Sequence, residues 1–236
     1  MGFIMKLIRD EWNNKDIEEF NRYLEEQKRS EKIDFTKRVV NTNLPVLAIP
    51  TPDLRNIAKE LVKGNYISFL DNMSNKYYEN TIINVILINK INDIEVKKYY
   101  FNKLVIDNWA TVDIMTFKIK GNEKEYLNLS KEYLKSEYPF FRRIGVRILF
   151  NYTKENDLTE IFKIIDSLYN EDEYYVNMAV AWLMCEIVIK NREQAFKYLK
   201  NHHLNKFTIN KTVSKCRDSF RVSKEDKEEL LKYRNK

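Results

Sequence analysis

The sequence predicts an all-α protein in which pairs of helices recur as an α-solenoid, and three observations carry that prediction. Of its 236 residues only four are Gly and four are Pro, far fewer turn formers than strand-and-turn architectures use. After Gly64, apolar residues recur at helical spacing almost without interruption. An aromatic-led apolar helix also repeats itself: Phe140-Phe141-Arg142-Arg143-Ile144-Gly145-Val146 aligns with Tyr174-Tyr175-Val176-Asn177-Met178-Ala179-Val180, 34 residues later.

In order along the chain, a charged amphipathic helix is expected over residues 15–30. Residues 32–43 are ambiguous, because Val39-Val40-Asn41-Thr42-Asn43 is a poor helix sequence leading into Pro45. The Pro-rich run from Leu44 to Arg55 follows, and its prolines enforce an extended approach. Thr51-Pro52-Asp53 reads as an N-cap with Pro at the first helical position. That helix would place Leu54, Ile57, Ala58 and Leu61 on one face and end at Gly64. Tyr77-Tyr78 opens a further apolar helix over residues 82–87, 63 residues before Phe140 and so close to two repeat lengths. The period matches tetratricopeptide repeats, but their Trp/Leu/Gly/Tyr pattern is missing, and HEAT-like repeats of more variable length fit better. A single HEAT-like repeat domain over residues 1–236, without a linker, is the expectation.

Composition narrows the function classes. Hydrophobic residues make up 44% and charged residues 32%, a folded rather than a disordered balance. The 41 Lys+Arg against 35 Asp+Glu give a net charge of +6, which is compatible with a polyanionic partner. Cys185 and Cys216 are the only cysteines and form no Cys-x-x-Cys pair, which argues against a disulfide framework or a zinc site and for a reducing cytoplasm. The apolar start, Met1-Gly2-Phe3-Ile4-Met5-Lys6-Leu7-Ile8, breaks at Arg9 and lacks a signal-cleavage pattern. No apolar run reaches spanning length. A cytoplasmic monomer that does not enter membranes is expected.

Three tryptophans, Trp12, Trp109 and Trp182, are the first candidates for chemistry. Trp109 and Asp113 are four residues apart, so on a helix they share a face. An indole beside a carboxylate suits a flat cation, through cation–π attraction and opposite charge. The plainer alternative is a core Trp at a helix start and an Asp serving the helix dipole. Against it stand Val112, Ile114 and Met115, since a carboxylate among apolar neighbours needs a partner or a purpose. Trp182 shares a helical stripe with Met178, Cys185 and Ile189, for which core packing is the default.

Basic residues cluster. Arg142, Arg143 and Arg147 crowd one helix, Lys118 and Lys120 follow Asp113, and Lys211, Lys215, Arg217 and Arg221 line the C-terminal region. On corresponding helices of successive repeats such clusters form a basic stripe matched to a phosphate backbone; solvated faces interspersed with Glu and Asp are the alternative. His202 and His203 follow a helix over residues 192–201, where cationic capping explains them better than catalysis. No Gly-rich phosphate loop, nucleophile elbow or paired metal-ligand spacing occurs, so no metal or cofactor is expected.

Four runs appear together in order and spacing: Pro50-Thr51-Pro52-Asp53-Leu54-Arg55, Trp109-x-x-x-Asp113, Phe140-Phe141-Arg142-Arg143, and Ala181-Trp182-Leu183 with Glu186. Together they resemble the DNA alkylation repair family, the HEAT-repeat alkylpurine DNA glycosylases, over nearly the whole chain. The resemblance implies a C-shaped solenoid whose basic concave face holds duplex DNA, and hydrolytic removal of cationic N3- or N7-alkylated purines without a cofactor. It implies that Asp113 is the catalytic carboxylate, that Trp109 and Trp182 flank the lesion's deoxyribose, and that Arg143 holds a nearby phosphate. Arg142, Arg147, Lys118, Lys211 and Lys215 are the further candidates for DNA contact.

The chain departs from the family pattern in three places. Ala110 stands where an acidic residue often follows the first Trp, and Cys185 stands where Arg often precedes the acidic Glu186. Residues 32–43, where active relatives place a DNA-gripping helix, contain the poor helix sequence Val39-Val40-Asn41-Thr42-Asn43. The runs Asn210-Lys211-Thr212 and Ser219-Phe220-Arg221-Val222-Ser223 resemble a branch that has lost glycosylase activity. These departures keep open a catalytically silent DNA-binding relative, and behind it a solenoid that binds an acidic protein segment.

Overall fold

The structure is a computed structural model that describes residues 5–234; Met1 to Ile4, which open the apolar N-terminal stretch, lie outside the described residues. The described residues form fourteen α-helices and three single turns of 3-10 helix, with no strand. They fall into two compact units that divide between Lys118 and Ile119.

The first unit holds α1 (Asn14–Glu26), α2 (Ile33–Val40), α3 (Thr51–Leu61), α4 (Tyr66–Asp71), α5 (Tyr78–Ile88), α6 (Ile94–Asn102) and α7 (Trp109–Asp113). Helix α5 is buried almost all round and packs against α3, α4, α6 and α7, as a helix without a polar face must. Beside it, Trp12, Phe20 and Phe69 meet edge to face, the arrangement the ring quadrupoles favour.

Local chemistry sets the ends of these helices. Asn13 and Asp16 form a capping box at the start of α1, satisfying amides that have no partner inside the helix. The helix stops at Glu26 rather than Ser30, because Gln27 and Lys28 fold back onto Leu24 and Glu25 and the Arg29 amide donates to the Leu47 carbonyl. Residues 33–40 form a helix, and of the poor helix sequence Val39-Val40-Asn41-Thr42-Asn43 only the first two residues lie in it. Helix α2 ends at Asn41 in the left-handed region, φ 55°, a conformation Asn tolerates better than most residues. Thr42 Oγ1–H and the Asn43 amide then both donate to Asp107, each at 2.6 Å. Contacts made far along the chain thus hold the exit of α2.

Helix α3 begins one residue earlier than its sequence suggests. Pro50 is the cap and Thr51 the first helical residue, so Pro52 occupies the second position, where its missing N–H still costs nothing. The expected face, Leu54, Ile57, Ala58 and Leu61, is buried. Before it, the extended run Val46-Leu47-Ala48-Ile49 is buried, with Ala48 at φ 59°, a conformation that costs an L-residue about 1–2 kcal/mol. Glu79 holds this run in place. Its fully buried carboxylate accepts the Leu47 amide at 3.0 Å, with the Ala48 and Ile49 amides also directed at it.

The second unit holds α8 (Glu123–Tyr133), α9 (Pro139–Leu149), α10 (Thr159–Asp166), α11 (Tyr174–Lys190), α12 (Arg192–Leu199), α13 (Lys206–Asp218) and α14 (Lys224–Leu230). Three of them run side by side in one direction. Near their N-termini Phe140 meets Tyr175 and Tyr174 meets Phe207; farther along, Phe150 meets Trp182 and Glu186 pairs with Arg221. The contacts advance together along α9, α11 and α13, so these helices are parallel. Helices α8, α10 and α12 make a second layer, joined by Lys131–Glu160 at 2.6 Å and by a flat Phe162–Tyr198 stack at 4.2 Å. The aromatic pairs aligned at 34 residues are thus neighbours in space. The layers approach closely at Gly145, whose carbonyl accepts Ser130 Oγ–H at 2.7 Å.

Candidate functional site

Helix α7 presents Trp109 and Asp113. Asn108, fully buried, caps its N-terminus by accepting the Thr111 amide at 2.9 Å, and Asp107 just before it carries Thr42 and Asn43. With the cap supplied by Asn108 and Asp113 closing the helix, Asp113 serves neither as cap nor at the end where a carboxylate complements the dipole. Trp109 and Asp113 are both half-buried, and the Trp109 indole N–H donates to the Val39 carbonyl in the last turn of α2 at 3.2 Å.

The segment leaving Asp113 is held from behind. Asn89 spans it with two bonds, donating to the Ile114 carbonyl and accepting the Thr116 amide, each at 2.9 Å. Lys97, buried, donates to the Thr116 carbonyl at 3.2 Å. Burial, with the Lys118 charge nearby, pushes its ammonium down to about 8. Neither Lys97 nor Glu79 stands out in the sequence, where a lysine or glutamate on a helix reads as a solvated face; only tertiary burial singles them out. Burial raises the Glu79 carboxyl, and the three loop amides draw it partly back. Lys118 is exposed and donates to Asn92 at 3.1 Å.

In the second unit the site residues divide by role. Arg142 is committed to the protein. It grips Glu171 with Nε and Nη2, at 2.7 and 2.9 Å, and donates to the Ser136 and Glu137 carbonyls. This bidentate pair raises its guanidinium above the ordinary value and occupies the fork that a phosphate would need. Arg143 is buried and donates to the Tyr175 carbonyl. Arg147 lies over both the Phe150 and Trp182 rings, 4.4 and 4.8 Å from their centroids.

Trp182 is not core. Among α11 residues it belongs, with Tyr175, Met178 and Ile189, to the half-buried stripe, while Val180, Ala181, Leu183 and Met184 fill the interior. The default of core packing is therefore reversed, and of that stripe Cys185 alone is buried, its thiol sharing a hydrogen bond with Cys216. Burial works to raise the Glu186 carboxyl, but Arg221 and Lys190 outweigh it and hold the group below its ordinary value. On α13, Lys211 lies over Phe207 at 5.6 Å, and Lys215, one turn on, is half-buried.

His202 plays another part than expected. Helix α12 ends at Leu199. Burial disfavours the cationic form of His202 and lowers its ordinary value, while its Nδ1 accepts the Leu204 amide at 3.1 Å. It closes a turn as a neutral acceptor and is not a capping cation. Among the described residues no three His, Cys, Asp or Glu side chains gather as a metal set, and no helix is long and apolar enough to cross a membrane.

A search of curated proteins finds no match to the chain. The family model described as DNA alkylation repair enzyme matches residues 18–215, a stretch that contains Trp109, Asp113, Arg143, Arg147, Trp182 and the lysines of α13 up to Lys215. The chain belongs to the DNA alkylation repair enzyme family, and its general role is in DNA alkylation repair.

Proposed function

We propose that this chain is a monofunctional DNA glycosylase that hydrolyses the N-glycosidic bond of N3- or N7-alkylated purines in duplex DNA, on HEAT-like repeats. The observation that carries this reading is Asp113. It is a half-buried carboxylate at the end of α7, relieved of capping by Asn108 and one turn from an indole fixed by Val39. Alkylation leaves the purine positively charged, so it departs as a neutral base with the bonding electron pair and leaves oxocarbenium character on the sugar. A fixed carboxylate stabilises that charge and orients the water that adds to the sugar carbon. The products are free base, an abasic site and the proton that the water gives up to solvent.

In the same reading Trp109 contacts the lesion sugar beside Asp113 and Lys118 the DNA backbone, while on the second unit Trp182, Arg143, Arg147, Lys211 and Lys215 contact DNA. Arg142 is left out, because Glu171 occupies it. The deciding experiment measures release of free base from duplex DNA carrying N7-methylguanine or N3-methyladenine. Asp113→Asn, which preserves shape, is expected to release base at least about a hundredfold more slowly than wild type. Equal release by both would remove Asp113 from the mechanism.

A second reading, a catalytically silent DNA-binding relative, draws on Arg147. In this structure its guanidinium lies over the Trp182 indole that the glycosylase reading offers to DNA. Strongly salt-dependent duplex binding, with no base release by the wild type, would establish it.

A further inference from the structure

The turn between α13 and α14 carries a feature that no structural need explains. Phe220 is 103% exposed, more than any other large apolar residue among those described. A phenylalanine held in water contributes nothing to folding, whereas burying it against a partner recovers the free energy of its whole apolar surface.

The turn that displays it is nevertheless well anchored. The Ser219 amide closes onto the Cys216 carbonyl at 3.2 Å, and Ser219 Oγ accepts the Arg221 amide at 3.2 Å. Val222 is buried. Ser223 caps α14 by accepting the Asp226 amide, and Asp226 is gripped by Arg192 of α12. Arg221, next to Phe220, pairs with Glu186, which lies one turn beyond Trp182 on α11. A rigid turn thus holds an aromatic ring outward beside the helix that carries a proposed site residue.

Its surroundings mix both signs, with cations in excess once Lys190 and Arg192, the partners of Glu186 and Asp226, are included. Arg217, Arg221 and Lys224 are exposed and Lys215 half-buried. Facing them, Asp218 and Glu225 are exposed, Glu186 is bound to Arg221 and Lys190, and Asp226 is bound to Arg192. An exposed apolar side chain with exposed Arg217 and Lys224 near it in the chain fits a nucleic-acid duplex, where cations meet phosphates and the ring meets bases. The turn lies beyond residue 215, where the family match stops.

We infer that Phe220 is a wedge pressed against the bases of duplex DNA, with Arg217 on a flanking phosphate. This extends the DNA contact past the helices of the proposed site, and it rests on the reading of the chain as a DNA-binding repair protein. The wedge acts on undamaged duplex as well, since it reads no lesion.

Fluorescence anisotropy with a labelled undamaged duplex, repeated over a range of salt concentrations, tests it on the wild type and on Phe220→Ala, Phe220→Trp and Arg217→Ala. Stacking lost with the ring should weaken Phe220→Ala by at least about fivefold while Phe220→Trp binds as wild type. Removing an apolar contact should leave the salt slope of Phe220→Ala unchanged, whereas Arg217→Ala should reduce its slope by about 0.9. Thermal melting of Phe220→Ala should match wild type, because the side chain buries nothing in the free protein. Wild-type binding with Phe220→Ala equally tight overturns the wedge and leaves the DNA reading standing. An equal Phe220-dependent loss on poly-glutamate assigns the turn to an acidic protein and also overturns it. Failure of the wild type to bind duplex at all overturns the DNA reading together with the wedge.

Discussion

The indole Nε1–H of Trp109 donates to the backbone carbonyl of Val39 at 3.2 Å, so the candidate aromatic of α7 is bonded to the last turn of α2. Asp107, two residues earlier, binds Thr42 and Asn43 just past that turn. The start of α7 and the end of α2 therefore behave as one piece. Trp109→Phe keeps an aromatic ring and removes only the donor. It is expected to lower stability by about 0.5–1.5 kcal/mol, at the low end because the site is half-buried, and to speed exchange of the Asn41 and Asn43 amides. Urea midpoints and hydrogen exchange check both; unchanged exchange would show that Asp107 alone joins the two helices.

At Gly145 the usual helix rule is reversed. Replacing an interior helical Gly by Ala ordinarily gains about 1 kcal/mol. Here a Cβ would stand 2.7 Å from Leu134 Cγ and 2.8 Å from the Ser130 carbonyl oxygen. Forcing α8 and α9 apart costs about 1–3 kcal/mol, so Gly145→Ala is expected to destabilise the protein, as read from its denaturant midpoint at unchanged m-value.

Arg142 and Arg147 lie on the same helix and should fail in different assays. Arg142→Ala strands Glu171, whose side chain is 5% exposed. It is expected to lose about 2 kcal/mol of stability with little effect on the salt slope of duplex binding. Arg147→Ala loses cation–π contacts worth about 1 kcal/mol and should reduce that slope by about 0.9. Titrations over a range of salt, beside thermal melts, separate the two; matching effects in both assays would undo the division of roles.

Lys97 predicts a pH dependence. Its folded value of about 8 lies below the ordinary lysine value of 10.5, so between the two the unfolded chain binds more protons than the folded one. Stability should therefore rise as pH increases from about 8 toward 10, by at most about 1.4 kcal/mol per pH unit. Lys97→Met should flatten that rise. Denaturation at a series of pH values gives the slope, and an identical slope in the variant would assign it to other groups.

The helices that the sequence made legible are those with a one-sided or all-round apolar pattern: α3 through Leu54, Ile57, Ala58 and Leu61, and α5, α9 and α11 through their opening aromatic pairs. Boundaries were less legible. Residues 27–30 fold back because the Arg29 amide meets Leu47, and the exit of α2 is held by Asp107. Both partners are distant in the chain, and propensity carries no information about them.

What the sequence determined by itself is the all-helical class, the recurrence of helices and the placement of Trp109 and Asp113 one turn apart on one helix, because spacing along a helix needs only the 3.6-residue turn. What the tertiary structure decided is which side chains are available. Arg142 and Arg147, five residues apart and alike in the sequence, part company because Glu171 stands within reach of one and Trp182 beneath the other. Trp182 leaves the core because helices on the far side of α11 claim its neighbours. Lys97 and Glu79 become buried charges for the same reason: burial depends on neighbours brought together from distant parts of the chain, and local pattern does not record them.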